Sequence, residues 1–311
     1  MASRSRLPAP PVTLLLLFAA WTAGAAQAAA QTARGGTAGA DYRRSIESWR
    51  AEREAKLTAD DGWLTLVGLF WLDEGPNRVG SAPGADVALA PGSAPAAVGT
   101  ITFRDTIATF TPAPGAEVRI NGKPAATQAL RPQPGQYDVL TTGSVTMFVV
   151  KRGGRYGVRV RDRNSPQRRE FAGLRWFPVR EEYRVTARFI PHPEPASIMI
   201  ANVLGAVEPW PTPGKVVFTL NGRDLTLHPV LDGPDATELF FIFRDGTTGS
   251  ETYPGGRFLY AAMPENGAVV LDFNKAESPP CAFTAYATCP LPPKENALPI
   301  RIEAGERNPH R

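Results

Sequence analysis

Hydrophobic and polar positions along this chain follow two different periods. Over residues 41–57 the apolar positions recur at helical spacing. Tyr42, Ile46, Trp49 and Leu57 fall near one face, and Arg43, Arg44, Glu47, Arg50, Glu52, Arg53 and Glu54 supply the wet side. The pattern predicts a helix with Asp41 as its N-cap, ended by Asp61-Gly62. From Trp63 onward the period drops to two. Short apolar runs at 63–72, 78–81, 85–89, 99–103, 107–110, 118–122 and 147–150 are separated by Gly, Pro and Asn turns. Such spacing predicts a β-sandwich. Further strands are expected at 215–220 and 225–230, joined by Asn221-Gly222, a strong hairpin signal, and at 238–243 as a buried strand. The fold class expected is therefore mostly β: sandwich-type antiparallel sheets with one N-terminal helix.

Residues 151–190 carry a dense set of arginines in register with this alternation. Tyr156, Val158 and Val160 alternate with Arg155, Arg159 and Arg161, and Tyr183, Val185, Ala187 and Phe189 alternate with Arg184 and Arg188. On strands, that period puts the apolar set on one face and the arginines on the other. Crowded like charges are costly unless an anion or acidic side chains answer them. Asp162, Glu170, Glu181 and Glu182 are the nearby acids. The intervening aromatic segment at 171–178 reads as a turn that docks one sheet on another.

Composition and the chain's first residues set the compartment. Arg4 and Arg6 precede an apolar run at 12–26 that ends in small residues around Ala26-Gln27-Ala28. This is the pattern of a cleaved secretory signal over residues 1–30, followed by a disordered lead-in over 31–40. Residues 41–160 are expected to hold the helix and first sandwich, and 161–311 a C-terminal β region packed on it. The protein is expected to be exported, periplasmic or secreted, with no stable membrane insertion after cleavage. Losing residues 1–30 takes the formal charge from +4 to +2. That change, with export, argues against a nucleic-acid partner. In an oxidising compartment Cys281 and Cys289 are expected to form a disulfide, stabilising the fold by roughly 2–3 kcal/mol. None of the three histidines lies near them, so neither a metal site nor a cofactor is expected.

The densest polar run inside strand-like pattern lies at 243–293. Arg244, Asp245, Tyr253, Arg257, Asp272 and Asn274 fall there beside Gly246, Gly249, Gly255 and Gly256. An arginine fork with backbone N–H donors suits a carboxylate, sulfate or phosphate. One reading makes Arg244 and Arg257 the clamp for a small anionic or carbohydrate-like ligand, oriented by Asp272 and Asn274. The other makes these residues a buried Arg–Asp network that locks loops around the disulfide. An envelope hydrolase is the alternative function. It would use His228 beside Ser250 or Ser278, or a carboxylate pair drawn from Asp245, Glu251 and Asp272. No G-x-S-x-G elbow supports it, and His192, flanked by prolines, reads as a loop residue. A structural or protein-interaction module is the third class, marked by an exposed apolar patch in place of a pocket.

Two family resemblances bear on these readings. Arg78-Val79-Gly80, Asp86-Val87-Ala88-Leu89 and Val118-Arg119-Ile120-Asn121-Gly122 resemble a forkhead-associated sandwich over about residues 63–160. Ser81 stands where that family has arginine, and Ser93-Ala94-Pro95-Ala96 where it has Ser-Arg-x-His, so only the fold is implied. The C-terminal motifs are more specific. Phe243-Arg244-Asp245, Thr252-Tyr253, Gly255-Gly256-Arg257-Phe258-Leu259 and Asp272-Phe273-Asn274 lead into Pro279-Pro280-Cys281 and Cys289-Pro290-Leu291-Pro292. With Asn296 and Glu303-Ala304-Gly305-Glu306 they are similar to the bacterial domain-of-unknown-function family 1684. That resemblance implies no activity.

Overall fold

The computed structural model describes residues 39–310. The expected signal peptide over 1–30 and most of the expected lead-in lie outside the described residues. Helix α1 (39–58) is already helical at residue 39, so Asp41 is not its N-cap. Asp41 sits inside the first turns, and its carboxylate pairs with Arg44 three residues on. The chain divides into two units, Met1–Ser48 and Trp49–Arg311, and every sheet belongs to the second. No helix among the described residues is long and apolar enough to cross a membrane.

The strands begin as β1 (Leu66–Trp71), β2 (Gly75–Gly80), β3 (Val87–Ala88), β4 (Gly99–Arg104) and β5 (Ile107–Pro112). There follow β6 (Arg119–Ile120), β7 (Lys123–Pro124), β8 (Gln128–Leu130), β9 (Leu140–Thr142), β10 (Val145–Arg152) and β11 (Arg155–Asp162). They form a six-stranded sheet, β1-β11-β10-β9-β6-β7, and a five-stranded sheet, β3-β2-β4-β5-β8. Pairing is antiparallel except between β2 and β3. The period-two alternation decides which side chains face inward. Val79, Ile101 and Phe110 of one sheet meet Met147, Val149, Val158 and Val160 of the other in a single core. Phe148, Arg159 and Arg161 therefore point out of the opposite face of the six-stranded sheet.

A short helix, α2 (Pro166–Arg169), leads to β12 (Arg184–Ala201), β13 (Val207–Leu220), β14 (Arg223–Leu227), β15 (Glu238–Phe243), β16 (Arg257–Ala262) and β17 (Ala268–Asp272). They build the sheet β14-β13-β12-β17 and the ribbon β15-β16. Asn221 and Gly222 turn β13 into β14 with φ of 52° and 70°. That left-handed pair is what a two-residue hairpin loop requires. Strand β15 is buried on both faces. Leu239, Phe241 and Phe243 enter a core with β12, β13, β14 and β17, while Phe240 and Ile242 join Ile200, Val230, Phe258, Ala287 and Cys289 in a smaller cluster. His192, expected in a loop, lies within β12, where pairing to β13 is irregular between Pro191 and Ala196. Beyond that point the β12–β13 ribbon continues and brings Ile200 and Trp210 to the smaller cluster.

Candidate functional site

The six residues expected to bind a ligand do not converge on a cavity as a set. Arg257 is 1% exposed and its Nη1 donates to Asp245 Oδ2 at 2.7 Å and to the Ile302 carbonyl at 3.0 Å. Nη2 donates to the Ala304 carbonyl, and Phe243 lies beneath the guanidinium with its centroid 5.4 Å away. Asp245 also accepts from the Thr247 N–H and hydroxyl, both at 2.6 Å. Asn274 is fully buried, donating to the Arg180 carbonyl and accepting from the Arg180 N–H, and Asp272 accepts from the Asn274 N–H. Tyr253 donates to the Cys281 carbonyl. Arg244 is exposed and apart from this network. The loop glycines are equally committed: the N–H groups of Gly246, Gly249 and Gly256 donate to the carbonyls of Ile300, Thr252 and Tyr253. Arg257 and Asp245 thus answer each other's charge, and both terminal nitrogens of the guanidinium are committed although its Nε has no partner.

A different arginine faces a different cavity. A cleft of about 670 Å³ opens between the β10–β11 hairpin, the far end of the β12–β13 ribbon and the loop carrying Thr288 and Cys289. Its size is that of a small-molecule site. Trp63, Trp210 and Tyr260 wall it, with Tyr260 stacked on Phe240 at 4.7 Å. Arg152 and Arg159 reach into it. Arg159 is 5% exposed and its Nη2 donates to Thr288 Oγ1 at 3.2 Å; its Nε has no partner, and among the described residues no carboxylate pairs with it. Its guanidinium lies over the Trp63 ring, 5.7 Å from the centroid. Burial pulls Arg159 down to about 10, with Arg152 and Arg161 adding like-charge repulsion. None of Asp162, Glu170 and Glu181 forms an ion pair among the described residues, and Glu182 pairs with Arg180. The arginine row seen in the sequence is therefore unanswered by protein acids at its most buried member. Arg152 is also lowered by burial, with Glu208 and Asp232 across the cleft mouth offsetting part of the cost.

The expected disulfide is not formed. Cys281 and Cys289 stand side by side as free thiols, and the Cys281 N–H donates to Cys289 Sγ at 3.0 Å. Cys289, 4% exposed, lies at the cleft wall. Cys281 is brought down to about 7, first by the hydrogen bond with the Cys289 thiol and further by the Arg159 charge, and Cys289 is pushed up in consequence. The His228 ring makes no hydrogen bond to a serine or carboxylate among the described residues. Its backbone is held by the Asn296 side chain instead. No group of three or more His, Cys, Asp or Glu among the described residues is arranged to hold a metal.

A second cavity of about 580 Å³ lies on the other side of Tyr260, lined among others by Arg53, Lys56, Asp272 and Glu277. Arg53 Nε is shared between Glu306 Oε1 at 2.8 Å and Glu277 Oε2 at 3.1 Å, so one cation serves two carboxylates. Burial pushes Glu277 up to about 7 from an ordinary 4.5, Glu306 adding to the push and Arg53 opposing it. A folded-state pKa above the unfolded value means that the native state holds a proton the unfolded chain has lost between pH 4.5 and 7. This contribution to stability is full below that window and is lost as pH rises through it. Glu277→Gln is expected to match the wild type at pH 5 and to exceed it at pH 8 by on the order of 2 kcal/mol. Urea unfolding at the two pH values checks this. A variant weaker at pH 8 would mean that pairing to Arg53 outweighs burial.

Neither Glu277 nor the cleft was marked as a site by the sequence. Arg159 stood in the alternating row, but Trp63, Trp210 and Thr288 carry no local pattern that joins them.

Fold and cleft define a β-rich protein whose sandwich and C-terminal region enclose a basic, aromatic-walled cavity. Residues 169–307 match the family described as "Protein of unknown function (DUF1684)". Among solved structures, the chain is similar to an uncharacterized protein of Haloarcula marismortui determined by solution NMR. The two are 34% identical over 46% of this chain and 80% of that one, with a TM-score of 0.39. No curated protein matches the chain.

Proposed function

We propose that the protein binds a small anionic ligand carrying a ring, in the cleft between the sandwich and the C-terminal region. The observation that supports this reading is the buried Arg159 guanidinium, with one donor unused, no carboxylate partner and an aromatic wall beside it. An isolated buried charge is costly, and a fold that keeps one is organised to have it answered. A carboxylate, sulfate or phosphate oxygen accepts from the Arg159 guanidinium, and the ring of an aromatic or sugar acid lies against Trp63, Trp210 or Tyr260.

The proposal includes export of the mature chain, supported by the basic, then apolar, then small-residue order of residues 4–30. It also includes closure of Cys281 and Cys289 to a disulfide in the oxidising compartment that export implies.

Thermal shifts with matched probes test the binding reading. Benzoate and glucuronate are expected to stabilise the wild type, and benzamide and glucose are not. In Arg159→Gln the response to the two anions should fall by roughly 10- to 100-fold in apparent affinity, the worth of one charge-assisted hydrogen bond. The variant itself should be at least as stable as the wild type, because an unpaired buried charge has been removed. Equal anion responses in the two proteins would sink the reading.

A further inference from the structure

One of the two thiols, Cys289, and the unanswered arginine line one cleft, and Cys281 adjoins Cys289 just outside that lining. Arg159 donates to Thr288, the neighbour of Cys289, and Cys289 lines the same cleft. No carboxylate is paired with Arg159 among the described residues, and the two sulfurs are near enough for their negative charge to act on it. The two residues are side by side, with the Cys281 N–H pointing at Cys289 Sγ at 3.0 Å. The two residues close a loop of only a few residues that is anchored at Ala287 and Tyr253, which keeps the sulfurs within reach of each other.

We propose that Cys281 and Cys289 form a redox-active dithiol that exchanges with a small anionic disulfide docked in the cleft, Arg159 holding the anionic end. This rests on the cleft being an anion site, as proposed above. The half-buried Cys281 is the more accessible thiol and attacks as the thiolate. A bond forms from its sulfur to one sulfur of the disulfide, the disulfide bond breaks, and one thiolate leaves. Cys289 then loses its proton to solvent and attacks the Cys281 sulfur, expelling the second thiolate. Two electrons pass from the protein to the small disulfide, the protein is left with a Cys281–Cys289 bond, and the two product thiolates take up protons as the pH dictates. Run backward, the same exchange oxidises two small anionic thiols. Anion and thiolate share one guanidinium, so a bound anion makes the thiolate harder to form and a thiolate weakens anion binding, by the same factor.

The test uses the native protein, reduced with an immobilised phosphine and freed of it. It is mixed with 5,5′-dithiobis(2-nitrobenzoate), an anionic aromatic disulfide, and separately with neutral 2,2′-dithiodipyridine. The expected result is two thiolates released per chain without denaturant, and a product lighter by two hydrogens that retains no adduct. In Arg159→Gln the ratio of anionic to neutral rates should drop tenfold or more. That ratio is insensitive to a change in thiol acidity, which moves both rates together. One thiolate released with a lasting adduct, or none released without denaturant, would overturn the dithiol chemistry whatever the cleft binds. Two released with an unchanged ratio would leave the exchange standing and overturn the docking role of Arg159, and with it the anion-site reading. Cys289→Ser separates the steps: it should release one thiolate and keep the other as a mixed disulfide on Cys281.

Discussion

Asp245→Ala is expected to destabilise the protein by about 3–5 kcal/mol, the cost of leaving a buried charge without its partner. Arg257 has almost no exposed surface, and the remaining acceptors around it, the carbonyls of Ile302 and Ala304, are neutral. The substitution also strips the two bonds that close the turn at Thr247. Unfolding should shift by roughly 2–4 °C for each kcal/mol in a chain of this size. The decisive comparison is the double variant Asp245→Leu with Arg257→Leu. With both charges gone no orphan remains, so the double variant should lose less than either single change. If the losses simply add, the pair is not coupled, and the network that joins 243–257 to 302–304 is held by something else.

The second large effect is expected at Gly305. Its φ is +80°, and a methyl group there would meet the Ala276 carbonyl, with Arg257 Nη2 and the Phe273 carbonyl each at 2.9 Å. The Ala276 carbonyl accepts from the Glu306 N–H, so it cannot withdraw without breaking a bond. Left-handed strain of about 1–2 kcal/mol and overpacking of about 1–3 kcal/mol both apply, which puts Gly305→Ala at roughly 2–5 kcal/mol. Gly249→Ala is the control. Its φ is +83°, but a methyl group there meets nothing within 4 Å, so only the backbone strain should register. Chemical denaturation of the two variants separates the effects. Equal losses would mean that the space around Gly305 opens at little cost.

The first prediction, and the Gly249 control in the second, concern residues whose sequence context suggested a ligand site. Arginine, aspartate, asparagine and closely spaced glycines are what an anion loop needs, and they are also what a buried network needs. The two differ in where the donors point. In the structure Arg257 is answered by Asp245, and the glycine N–H groups by carbonyls of their own and neighbouring loops. The buried-network reading therefore describes Arg257, Asp245, Asp272 and Asn274, and the buried arginine without a carboxylate partner among the described residues lies about a hundred residues earlier on the β11 strand. The exposed hairpin end with Met199, Val203, Leu204 and Val207 is the kind of apolar patch expected of an interaction module. It coexists with the cleft, so that patch did not discriminate.

Local periodicity by itself determined the mostly β fold, the helix before it, the hairpin at Asn221-Gly222 and the alternation that sends Val158 and Val160 inward and Arg159 outward. Each of these depends on neighbours within a few residues, and the chain states such neighbours directly. Only the tertiary structure decided which arginine has a counter-charge, which glycine is crowded, and which loop covers the outer face of the six-stranded sheet. Arg159 meets Thr288, 129 residues later, and Arg53 meets Glu306, 253 residues later. Charge compensation and burial are properties of what lies across a few ångströms of space, and separations of that length leave no periodic trace in the sequence.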